Sequence, residues 1–213
     1  MTALIMRELR LAVSGGNALM PLIFFLLVAT LFPFAVGPDA PLLARTGGGA
    51  LWMAALLAAL LPVERLVEPD RASGTIDQLF LRGFSEESIA IAKLLGHWLS
   101  FGPPLMLAAI PAAALMKLPP DVLVRLELGL LIGTPALAAL TLMVSALTAG
   151  LRGTGALAGL LMLPLAVPIL IFGAGMMERG VDSGATKLLA AVSLLLVAVA
   201  PFAAGAAIRA SRD

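Results

Sequence analysis

LGLLIGTPALAALTLMVSALTA, residues Leu128 to Ala149, runs for 22 residues without one charged side chain, and that length decides the class of fold. An α-helix rises about 1.5 Å per residue, so about 20 apolar residues cross the roughly 30 Å hydrocarbon core of a bilayer. Five more such runs stand in the chain, at Ala18 to Val36, Gly48 to Val63, Leu94 to Met116, Gly155 to Gly175 and Leu188 to Ile208. The six hold almost none of the 14 basic and 13 acidic residues. The second run is short unless its helix continues through Glu64 to Val67, with Glu64 and Arg65 snorkelling to the interface.

Composition points the same way. With 61% hydrophobic residues, 13% charged and a mean hydropathy of +1.05, a water-soluble domain would be left with apolar surface it could not cover. The expected fold is all-α and integral to the membrane, with six transmembrane helices in one domain spanning residues 1-213. Continuous apolar runs, rather than ten-residue alternation, exclude a barrel. Met1 to Gly16 carries Arg7, Glu8 and Arg10 within an amphipathic pattern, so it reads as an interfacial helix and not as a cleaved leader. Gly15-Gly16-Asn17 is expected to break that helix before the first span. The absence of Cys removes disulfide and thiolate chemistry.

Six spans place both termini on one side. Arg7, Arg10, Arg65, Arg71, Arg82, Lys93, Arg152, Arg209 and Arg212 fall on that side, against Arg45, Lys117, Arg125, Arg179 and Lys187 on the other, so the termini are expected in the cytoplasm. Three outer connections, Gly37 to Gly47, Lys117 to Glu127 and Met176 to Lys187, are too short for a soluble domain. The sizeable hydrophilic segment is Glu64 to Lys93, which faces inward and is the expected docking element. Ser73-Gly74 breaks it, Thr75 to Leu81 reads as a helix with Ile76, Leu79 and Phe80 on one side, and Ser85 reads as the N-cap of a helix that enters the third span. Such an element leaves apolar side chains in water unless a partner or the membrane surface covers them.

Enzyme chemistry has little to stand on. The chain has one His, no Cys, no Tyr and no GxxxxGK[ST] loop, so it is not expected to bind and hydrolyse ATP in that way by itself, energy is expected to come from elsewhere, and no intrinsic cofactor is expected. The spans also lack the acidic and His relays of a proton-driven pump. Prolines at 103, 104, 111, 135, 164 and 168 are read either as close packing of small-residue helices or, in the fifth segment, as a broken or re-entrant helix. His97 is the one candidate histidine haem ligand. The favoured role is structural, with Trp98 anchoring at the interface and His97 bonded to a neighbouring carbonyl.

Along nearly its whole length the chain resembles the B-type membrane subunit of the haem-exporter ABC complex of cytochrome c maturation, the CcmB family. The matching stretches include Arg7-Glu8-Leu9-Arg10, Thr30-Leu31-Phe32-Pro33, Trp52-Met53-Ala54-Ala55, Glu64-Arg65-Leu66, Ala92-Lys93 with His97-Trp98, Gly150-Leu151-Arg152 and Pro201-Phe202-Ala203. The family's usual Asp-Gly and Leu-Glu-Gln-Leu appear here as Ser73-Gly74 and Ile76-Asp77-Gln78-Leu79, which keeps the carboxylate and the Gln. The resemblance implies an ABC-2-like exporter half in the bacterial inner membrane. It also implies a coupling helix between spans two and three that docks on a CcmA-type ATPase through Glu64, Arg65, Asp70, Gly74, Ile76, Asp77, Gln78, Leu79 and Phe80. Its implied partners are CcmC-type and CcmD-type membrane subunits and, indirectly, the haem chaperone CcmE. Membrane lipid is expected around the spans, and no nucleic acid. Two alternatives stay open: a non-conducting scaffold that passes ATPase work to a haem-handling partner, and an ABC-2 permease for another lipophilic substrate.

Overall fold

A computed structural model describes residues 1–14, 19–37, 39–151, 154–179, 181 and 183–211. Among these the chain forms ten helices: α1 (Thr2–Ser14), α2 (Leu19–Val36), α3 (Ala40–Leu60), α4 (Val63–Leu66), α5 (Glu68–Ala72), α6 (Thr75–Leu81), α7 (Glu86–Leu115), α8 (Pro120–Thr148), α9 (Thr154–Arg179) and α10 (Gly184–Ala210). Six of them, α2, α3, α7, α8, α9 and α10, are long and apolar enough to cross a bilayer, as the six runs predict. The glycine break at 15–17 and Arg152 lie outside the described residues.

The second span gains its length at the end opposite to the expected one. Asp39 accepts a hydrogen bond from the Leu42 N–H at 3.2 Å and caps a helix that starts at Ala40, with Pro41 in its first turn. Its other end stops at Leu60, because Pro62 has no N–H to continue the ladder and its ring collides with the carbonyl four residues back. Glu64 and Arg65 therefore belong to a separate turn, α4, and not to a prolonged span. The outer connections shrink accordingly, since α8 already begins at Pro120 and α10 at Gly184. The fifth segment is one continuous helix, α9, despite Pro164 and Pro168, so the broken or re-entrant reading is set aside.

Packing grades from a central helix to a peripheral one. In α8 72% of the apolar window is buried inside the protein, in α2 only 17%, which leaves α2 as a lipid-facing rod. The centre is organised by Trp52 of α3, fully buried against three glycines. A Cβ at Gly133 of α8 would stand 2.5 Å from Trp52 Cη2, and one at Gly173 of α9 would stand 2.5 Å from Cε2. Gly129 of α8 adds a third approach at 3.0 Å from Cζ2. Small residues thus let three helix backbones close around one indole, the packing mode that lipid-embedded helices rely on. Thr141 of α8 seals the same interface by donating to the Ala59 carbonyl at 3.1 Å.

One end of the bundle gathers α1, the short helices α4 to α6, the start of α7, the turn after α8 and the end of α10. Arg209 of α10 reaches Glu86 at 3.4 Å and Glu87 at 3.3 Å across this end.

Candidate functional site

The connector between spans two and three is a folded element held to the bundle by charge. Asp70 of α5, 8% exposed, accepts from Arg7 of α1 at 2.5 and 3.1 Å and from Lys93 of α7. Lys93, a span residue only 2% exposed, also donates to the Leu66 carbonyl at 2.7 Å and to Glu8 at 3.3 Å. Glu8 in turn accepts from Arg7 at 2.5 Å. Two cations and two carboxylates compensate one another, as buried charges must. Burial opposes ionisation of Asp70, but the Arg7 hydrogen bonds and the Lys93 charge outweigh it and hold the carboxyl below its ordinary value. The same hydrogen bonds raise the Arg7 guanidinium further. Gly96 lets α1 come this close, because a Cβ there would stand 2.4 Å from Glu8 Cβ.

A second tie joins the connector to the turn after α8. Glu68 accepts from Arg71 at 2.9 Å through two N–H groups and from the Gly150 N–H at 2.7 Å. The Arg71 guanidinium, against a smaller effect of burial and with help from the Gly150 amide, keeps the Glu68 carboxyl below its usual range. Gly150 sits at φ +83°, a left-handed conformation that glycine adopts without strain.

The expected docking residues divide into two groups. Thr75–Leu81 is helical, and Gly74 at φ +70° makes the break before it. Ile76 and Leu79 are buried at 2% and 7%, covered by the chain's own core rather than left for a partner. Phe80, one turn on from Ile76, is by contrast 43% exposed. Asp70, expected on the docking surface, is instead committed to Arg7 and Lys93. Glu64, Arg65, Asp77 and Gln78 remain exposed, and with Phe80 and Leu81 they form part of the outward surface. Ser85 caps α7 by accepting from the Ser88 N–H at 3.2 Å, as its position predicts.

His97 departs from its expected role. Trp98 Nε1 donates to Thr134 Oγ1 of α8 at 3.0 Å, so the indole is bonded within the bundle. His97 is 5% exposed, its ring stands 4.8 Å from that of Phe101, and its Nε2 is buried without a hydrogen-bond partner, contrary to the expected bond to a carbonyl. It lines a cavity of about 540 Å³ between α1, the start of α2, the connector and α7. Apolar Leu11, Pro21, Leu66 and Phe101 wall this space, and its charged lining sets Arg7, Arg65 and Lys93 against the carboxylates of Glu8 and Asp70.

Sequence reasoning assigned Arg7, Glu8, Lys93 and Glu68 no site role. Lys93 stands just before the third apolar run, and only the extent of α7 brings its charge into a span helix, where it has to meet a counter-charge.

Six membrane-length helices, with a structured and partly charged connector clamped to one end, define a multi-pass helical membrane protein. The family match makes this specific. The model described as CcmB protein matches residues 1–211, and the chain belongs to the CcmB family. Heme exporter protein B of Rhodobacter capsulatus is 45% identical, with 98% of each chain covered, and that of Paracoccus denitrificans is 44% identical over the same shares. Heme exporter protein B of Escherichia coli K12 is 39% identical, over 96% of this chain and 95% of its own.

Proposed function

We propose that this chain is the transmembrane subunit of an ATP-driven ABC complex that exports haem, or releases the haem-loaded chaperone, during cytochrome c maturation. Membership of the CcmB family and similarity to proteins named heme exporter protein B support the haem assignment. The observation that carries the mechanical part is the double attachment of the connector. Asp70 joins it to α1 and α7, and Glu68 joins it to the turn after α8, while Glu64, Arg65, Asp77, Gln78 and Phe80 stay at its surface. A force applied to that surface is passed to three parts of the bundle at once.

In this reading ATP is bound and hydrolysed by a CcmA-type ATPase docked on the exposed side of α6. CcmC-type and CcmD-type subunits complete the complex and CcmE receives haem outside. The excess of Lys/Arg on the connector's side supports cytoplasmic termini, with the inner membrane as the proposed location. Deletion of the chain should abolish holo-cytochrome c while apo-cytochrome is still made, with recovery on re-expression. Normal maturation without the chain would refute the assignment. Reconstituted vesicles scored separately for haem crossing and for chaperone release decide between conduction and a scaffold that only transmits work.

A further inference from the structure

The structure leaves one polar group without an explanation of its own. His97 Nε2 is an acceptor or donor buried on a membrane helix with nothing bonded to it, and an orphaned buried polar group costs on the order of 1–3 kcal/mol. The structural role predicted for this imidazole would have given it a carbonyl partner, and Nε2 has none. The ring lines a 540 Å³ cavity, within the range of about 300–1,000 Å³ typical of small-molecule and cofactor pockets. Resting on the proposed function above, we infer that His97 is the axial ligand of a transient haem site in this cavity.

Three features suit a planar, mostly apolar tetrapyrrole that carries carboxylates at one edge. Leu11, Pro21, Leu66 and Phe101 give apolar walls. Arg7, which bonds Glu8 and Asp70, also lines the cavity and brings a guanidinium able to pair with a propionate. Arg65, exposed and on the cavity lining, adds a second cation at the mouth. The imidazole stands beside the Phe101 ring, 4.8 Å between centroids. Because Nε2 is shielded from bulk water, ligation requires a turn of the ring toward the cavity. In the ligation step the Nε2 lone pair forms a bond to ferric iron, an iron-bound water leaves, the ring proton stays on Nδ1 and the iron keeps its oxidation state.

The site also lies beside the charge network that holds the connector. Arg7 and Lys93 line the same cavity, so movement of α5 relative to α7 would change its shape. Haem held here would be gripped or released as the connector moves.

The test is titration of ferric haem into the full chain in lipid nanodiscs, followed by absorbance. The wild type should give the low-spin spectrum of nitrogenous axial ligation. His97→Ala should lose that spectrum and bind at least about tenfold more weakly, and free imidazole should restore it. His97→Met, which fills the same space, should give a distinct axial signature, so a folding defect in His97→Ala does not leave the question open. The site is overturned if the wild type shows only the spectrum of haem dissolved in lipid, or if His97→Ala keeps the wild-type spectrum. It is equally overturned if native mass spectrometry finds a phospholipid in the cavity that haem does not displace. The two readings fail separately: a chain needed for maturation whose spectrum ignores His97 loses the site alone, whereas maturation without the chain removes the function and leaves the spectrum to decide the site.

Discussion

Lys93 Nζ lies 2.7 Å from the carbonyl oxygen of Leu66, a bond between the third span and the backbone of the connector. Together with the Lys93 pair to Asp70, it means that α5 cannot shift without either carrying α7 with it or exposing a charged group to a poor solvent. In the proposed function the connector would act as a lever fixed to a span, with the exposed edge of α6 as its handle.

The first prediction concerns the buried pair. Asp70→Asn leaves Lys93 with Glu8 and a carbonyl but without its main counter-charge, and breaking a buried pair from one side costs roughly 3–5 kcal/mol. Thermal unfolding of the purified chain should show this loss. The folded Asp70 carboxyl lies below its unfolded value of 3.8, so its stabilisation is present above about pH 4 and disappears as the pH falls through the lower folded value. Acid titration should unfold the wild type over that window, and Asp70→Asn should lack this component.

The second prediction concerns the core. Gly133→Ala or Gly173→Ala forces a methyl to 2.5 Å from the Trp52 indole and should destabilise by about 1–3 kcal/mol. Trp52→Ala should cost about 3–5 kcal/mol by leaving a cavity. Because Trp52 Nε1 has no hydrogen-bond partner, Trp52→Phe should cost less than Trp52→Ala, and it should partly relieve Gly173→Ala. Melting temperatures of the single and double variants in one detergent check the coupling; additive losses would contradict the slot.

The fold was legible because the bilayer fixes helix length, and α8, α9 and α10 follow directly from their apolar runs. The start of α3 was not, since Gly47-Gly48-Gly49 hides a helix that Asp39 caps and neighbouring helices press upon, with Met116 near Gly47 and Met177 near Gly48. At the site, local spacing gave α6, its glycine break and the Ser85 cap. It could not give the buried face of α6, because what covers Ile76 and Leu79 comes from elsewhere in the chain. Nor could it pair Asp70 with Arg7, 63 residues away. His97 was singled out by its rarity alone, and only the fold shows that it lacks a partner and borders a cavity.

A third prediction follows from the tie between Glu68 and Gly150. Gly150→Ala places a side chain at φ +83° and sets a Cβ 3.3 Å from Arg71 Cζ, a strain of roughly 1–2 kcal/mol that the exposed turn can relax by releasing Glu68. Stability should change little. Coupling should suffer: ATPase activity of the intact complex should persist while holo-cytochrome c falls. If both stay at wild-type levels, this tie does not transmit force.

The last prediction separates the two faces of α6. Asp77→Lys with Gln78→Ala alters the exposed face, where surface substitutions cost little stability, within about 0.5 kcal/mol. At a docking surface the same change should cut recovery of the CcmA-type ATPase in affinity purification by about tenfold or more, as truncation at an interface centre does. Ile76→Ala and Leu79→Ala act on the other face. They remove buried side chains, so each should lower the melting temperature of the isolated chain, by roughly 2–5 kcal/mol of stability, whether or not a partner is present. The decisive pattern is loss of partner with retained stability for the first variant and loss of stability for the second pair. Full recovery of the ATPase with Asp77→Lys and Gln78→Ala would move the docking surface off α6, toward Glu64 and Arg65 of α4.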